Sequence, residues 1–73
     1  MDSEHYARIF VQRVIVIVES IPNFPNIGRI VPEYQKKDLR ERIFQNYRII
    51  YRIKPEAIEI VAVIHSARLL PDL

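Results

Sequence analysis

Tyr47-Arg48-Ile49-Ile50-Tyr51-Arg52-Ile53, Lys54-Pro55-Glu56-Ala57 and Ile58-Glu59-Ile60-Val61-Ala62-Val63-Ile64-His65 read as a strand, a loop and a second strand. Both outer runs are rich in β-branched and aromatic residues, which suit a pleated surface. Pro55 disfavours a two-residue mirror-image turn, which needs positive φ, so a four-residue loop with Ile53 opposite Ile58 is predicted. That register sets Tyr51 against Ile60, Ile49 against Ala62 and Tyr47 against Ile64, a continuously apolar face fit to take a helix. On the reverse face Arg52 meets Glu59, Ile50 meets Val61 and Arg48 meets Val63, with His65 diagonal to Arg48.

Working upstream, Leu39 to Phe44 reads as a third strand joined through Gln45-Asn46, which places Glu41 opposite Ile50. The reverse face then gathers Glu41, Arg48, Arg52 and His65 around an apolar floor of Ile50, Val61 and Val63. Pro22, Pro25 and Pro32, together with Asn23, Asn26 and the single glycine, Gly28, mark Pro22 to Tyr34 as a loop. Before it, Tyr6, Ala7, Phe10, Val11, Val14, Ile15, Ile17, Val18 and Ile21 share one broad arc of a helix, capped by Asp2 or Ser3 and ended at Pro22. Ile9 and Val16 are apolar outside that arc. The expected fold class is α+β: one long helix packed on a three-stranded antiparallel sheet with a basic open face, a single domain over residues 1–73.

The chain has 73 residues, short enough that a lone core is marginal and something usually reinforces it. It has no cysteine and two histidines, so disulfides and thiolate metal sites are excluded, and a partner chain is the expected reinforcement. Net charge is only +2, yet residues 29–54 hold eight basic side chains against three acidic ones. Such a segment is either a plain solvated face or a surface for polyanions or an acidic partner. The apolar run Val14 to Val18 is too short to cross a membrane and no signal peptide is visible, so a soluble cytoplasmic protein is expected.

The wording of several segments resembles one family. Phe24-Pro25-Asn26-Ile27-Gly28-Arg29-Ile30-Val31-Pro32-Glu33 is similar to the "FPxxGRxVPE" loop of the RelE/ParE superfamily of toxin–antitoxin toxins. Leu39-Arg40-Glu41, Tyr47 to Ile53 and Ile64-His65-Ser66-Ala67-Arg68 resemble its later "-RE-", "YRIIYR-" and "-HGAR-" segments, in the same order. The likeness runs from the helix to Leu70. A typical member starts with a strand and a first helix, and this chain starts at what corresponds to the second helix. The resemblance therefore implies an uncovered helix face and sheet edge, and with them a homo-oligomer or an antitoxin segment as cover.

Two activities are implied by the resemblance. RelE-like members cleave messenger RNA on the ribosome, which needs cationic groups at the phosphate and an acid/base. Arg48, His65 and Arg68 are the catalytic candidates in that case, with Glu41 a further possible base. ParE-like members inhibit DNA gyrase, and the "GRxVPE" wording is closer to this branch. The expectation is a ParE-like toxin of the plasmid-stabilisation class, held by a cognate antitoxin protein and needing no cofactor or metal. Candidate binding residues are Glu41, Arg42, Arg48, Arg52 and Arg68. A degenerate, non-toxic oligomeric member is the third reading. Each candidate also has a structural reading: Arg52 with Glu59 as a cross-strand pair, Arg48 with Glu41 as an ion pair, His65 as a strand-end side chain bonded to backbone.

Overall fold

The computed structural model describes residues 3–66, 68 and 70, and in it helix α1 spans Ser3–Ser20. Ser3 is its first residue, while Asp2, the other candidate cap, lies outside the described residues, as do Ala67, Leu69 and residues 71–73. The helix ends as expected where Pro22 removes a backbone donor. Two single turns of 3₁₀ helix, Ile21–Asn23 and Pro25–Ile27, carry the chain onward. Strands β1 (Arg29–Ile30), β2 (Leu39–Phe44), β3 (Tyr47–Ile53) and β4 (Ile58–His65) form one antiparallel sheet in the order β1-β2-β3-β4.

The three expected strands occur with the expected bounds. The sheet nevertheless has four strands, because Arg29 and Ile30 leave the loop to pair with Glu41 and Arg40. Beyond that pairing, residues 42–44 of β2 have no partner strand on their outer side among the described residues. The β2–β3 turn places Glu41 opposite Ile50, and Gln45 takes the positive φ (53°) that a mirror-image hairpin turn demands. The β3–β4 loop closes with Ile53 opposite Ile58 and the Lys54 N–H donating to Ala57 O at 2.9 Å.

The predicted register of the last hairpin holds only as far as Tyr51 opposite Ile60. There a β-bulge makes Val61 an extra residue, so Ile50 faces Ala62, Ile49 faces Val63, Arg48 faces Ile64 and Tyr47 faces His65. The bulge gives both faces of the sheet an apolar share of β4. On one face Val61 and Ile64 join Tyr34 and Leu70 around the buried cluster Val31, Leu39 and Ile50. That face, expected to be open, is therefore covered by the loop after β1. On the other face Ile49 and Tyr51 are fully buried, and Phe10 of α1 stacks obliquely on Phe44 and Tyr47, ring centroids 5.6 and 4.9 Å apart.

Helix α1 contains no buried residue. Its inner side touches the sheet through Phe10 and borders a groove of about 310 Å³ lined by Gln12, Arg13, Val16, Ile17 and Phe44. No described helix is long and apolar enough to cross a membrane.

Candidate functional site

The charged groups of the sheet meet where β1, β2 and β3 run side by side. Glu41 and Arg48 are diagonal neighbours on β2 and β3, on the face covered by Val31, and both are buried. Glu41 Oε1 accepts from Arg48 Nε at 2.6 Å and also pairs with Arg48 Nη2. Its other oxygen accepts from Arg29 Nε at 2.6 Å. Arg48 turns the rest of its fork to Glu33, Nη1 to Oε2 at 2.7 Å and Nη2 to Oε1 at 2.8 Å. Paired N–H donors facing two carboxylate oxygens are the strongest geometry for such a contact.

The four side chains make a chain of alternating charge, Arg29–Glu41–Arg48–Glu33, with formal charge zero. It runs from the fully buried carboxylate of Glu41 to Glu33, whose side chain is 47% exposed. Arg48 holds the Glu33 carboxyl well below the usual range, at about 2, chiefly through the two hydrogen bonds it donates. Reciprocally, those bonds and the ones to Glu41 raise the guanidinium further above its already high value. Burying Glu41 alone would be costly, so the two arginines around it are what make its position tenable.

The same loop is fastened on the opposite face. Tyr51 Oη donates to Pro25 O at 2.6 Å and accepts from the Gly28 N–H at 2.9 Å. A Cβ on Gly28 would lie 2.6 Å from Tyr51 Oη and 2.7 Å from Glu41 O, so only glycine fits this crossing. Arg40 Nη1 donates to Gly28 O at 3.0 Å, and its Nε to Lys37 O at 3.0 Å. The segment from Phe24 to Glu33 thus wraps the edge of the sheet: Pro25 and Gly28 are held on one face, Arg29 and Ile30 pair along the edge, and Val31 and Glu33 are held on the other.

The candidate residues separate accordingly. Glu41, Arg48 and Arg52 share one face, where Arg52 Nη1 meets Glu59 at 3.3 Å. Lys54 Nζ is closer to Glu59, at 2.8 Å, and pulls its carboxyl below the ordinary range with Arg52 assisting. His65 is not with them: the bulge turns it to the helix side, edge-on to Tyr47 with centroids 5.4 Å apart. Val63 leaves the expected apolar floor for the same reason, and Ile64 replaces it. Arg42 also lies on the helix side, opposite Ile49, and its Nε is buried without a hydrogen-bond partner among the described residues. Arg68 is exposed, its backbone N–H donating to His65 O at 3.0 Å. The described residues contain no cluster of three or more potential metal ligands.

Sequence reasoning did not single out Arg29 and Glu33 as the partners of Glu41 and Arg48. Arg29 leaves the short strand β1 toward that face, but Glu33 reaches Arg48 from the turn at residues 32–34, which strand alternation does not announce. It also read Tyr51 as a plain core aromatic and missed the work of its hydroxyl.

A family model described as the ParE toxin of the type II toxin–antitoxin system parDE matches residues 2–70. No curated protein and no solved structure matches the chain. The match covers nearly the whole sequence, and the chain belongs to the ParE toxin family.

Proposed function

We propose that this ParE-family chain is the toxin of a type II toxin–antitoxin pair, kept inactive by a cognate antitoxin protein and acting in the cytoplasm on DNA gyrase. The family match over residues 2–70 carries the reading. The geometry supports the gyrase branch over messenger RNA cleavage. Arg48 is committed to Glu33 and Glu41, and His65 stands on the other face of the sheet from it. A phosphate held by Arg48 would first have to displace two carboxylates. Glu41, Arg42, Arg48, Arg52 and Arg68 are retained as binding candidates, of which Arg42 and Arg68 are the cations least engaged by acidic neighbours.

The test is expression in a bacterial host with and without the protein encoded beside it, followed by a supercoiling assay with purified gyrase. Growth arrest relieved by the neighbouring protein, lost supercoiling and intact messenger RNA are expected. Unimpeded supercoiling with cleaved message would replace this reading with the RelE-like one. Normal growth at high expression would replace it with the non-toxic member.

A further inference from the structure

We infer that an extended acidic segment of the antitoxin lies along the outer edge of β2 at residues 42–44, adding a strand to the sheet and setting a carboxylate beside Arg42. This deepens the reading proposed above and rests on it. The native pairing stops at an internal point: Gly28, its N–H held by Tyr51 Oη, carries the chain across the sheet, and β1 pairs no further than Glu41. Backbone direction then narrows the contact to one residue. Val31 N–H donates to Leu39 O and Arg29 pairs with Glu41, so the odd-numbered residues of β2 turn their N–H and C=O away from β3. Ile43 is the next of that series, has no partner strand there among the described residues, and is 51% exposed. Arg42 and Phe44, on either side of it, point to the helix face.

The side chains select the occupant. Beside that edge Phe44, Val16 and Ile17 give the groove its apolar lining, and Gln12 and Arg13 complete it. Arg42 Nε is buried with no hydrogen-bond partner among the described residues, a state that buried donors rarely keep. Ion pairs among the described residues use Arg29, Arg48, Arg52 and Lys54; Arg13 and Arg42 enter none of them. An incoming strand antiparallel to β2 sets three successive residues opposite Phe44, Ile43 and Arg42. The first and third face the groove, and the second exchanges two backbone hydrogen bonds with Ile43. The segment that fits therefore reads apolar, any residue, then Asp or Glu, with the carboxylate accepting from Arg42 Nε. A nucleic acid would answer the two cations but leave the apolar lining and the Ile43 backbone unanswered. An added protein strand answers all of them.

The test uses the parent chain and the protein encoded beside it, with titration calorimetry for binding and NMR hydrogen exchange for single amides. In the complex the Ile43 amide should exchange at least about tenfold more slowly than in the free chain. The Phe44 amide, turned inward to β3, should be protected in both. Arg42→Glu, by its charge, and Ile43→Pro, by removing the outward N–H, should each weaken binding at least about tenfold. Lys36→Glu makes the same change of charge outside the groove and should alter binding less than about threefold. Circular dichroism shows which variants are folded, and Arg42→Gln replaces Arg42→Glu if the latter is not. Binding without a change at the Ile43 amide, or variants that bind as the parent does, would overturn the inference and leave the antitoxin pairing standing. A neighbouring protein that does not bind the parent chain would overturn both. Single-stranded RNA bound by the parent and lost in Arg42→Glu, with antitoxin binding unchanged, would reassign the groove to a nucleic acid.

Discussion

The clasped loop and the helix are opposites. Between Pro25 and Glu33 the chain is fixed by partners on both faces of the sheet: Tyr51 and Arg40 on one side, Glu41 and Arg48 on the other. Along α1, twice as long, the ties to the sheet are the two ring contacts of Phe10, a hydrogen bond from Tyr6 Oη to Gln45 Oε1 at 3.3 Å and the turn into buried Ile21. The residues that make the sequence recognisable are mostly those of the clasp. Their charge is consumed internally, so the family wording reports how the domain is held together more than what it touches.

That contrast can be broken from its strong side first. Glu41→Gln removes the carboxylate between two arginines and should cost about 3–5 kcal/mol, because the buried Arg48 keeps its charge and loses half its partners. A loss of that size is most of a small domain's stability, and urea denaturation or the loss of the circular-dichroism signal would show it. A cost below about 1 kcal/mol would mean the clasp is ornamental. Gly28→Ala should follow at about 1–3 kcal/mol, since the added methyl meets Tyr51 Oη and backbone at once. Tyr51→Phe in the same background should recover part of that loss, as it removes the nearer obstruction.

The weak side gives smaller numbers. Phe10→Ala should cost about 1–2 kcal/mol, short of the ~3–5 usual for a core phenylalanine, because Phe10 is only half-buried. The smallest effect is a pH dependence. Glu33 is held at about 2 when folded, against an ordinary 4.5, so its contribution is complete above about pH 4.5 and declines as pH falls toward 2. In Glu33→Gln this increment is absent. The stability difference between parent and variant should stay constant above about pH 5 and shrink below it, and acid titration of the urea midpoint reads this directly.

Much of this architecture was legible in the residues alone, for local reasons. Runs of β-branched residues ended by Gln45-Asn46 and by Pro55 set three strand boundaries, and Pro22 stopped the helix. What escaped was non-local. Strand β1 is two residues long and exists only because the loop wraps the edge, which no periodicity announces. The bulge escaped because Ile60, Val61, Ala62, Val63 and Ile64 are all apolar, so no polar residue marks where alternation slips. Placing His65 beside Arg48 was a direct result of that slip. The four-membered ion chain was half visible, through Glu41 and Arg48, and needed the wrapped loop to supply its two ends.

Which face a strand residue serves follows the odd or even parity of its position, and Val61 is where β4 resets that count. Removing this one residue would leave Ile60 opposite Tyr51 and Ala62 opposite Ile50, with every later pair in place. Removing a residue from the regular run of β3 would exchange the clasp face with the helix face. Among the described strands this is a spare position: its removal would leave every other residue on its own face and forfeit only the contact of Val61 with the cluster of Val31, Leu39 and Ile50.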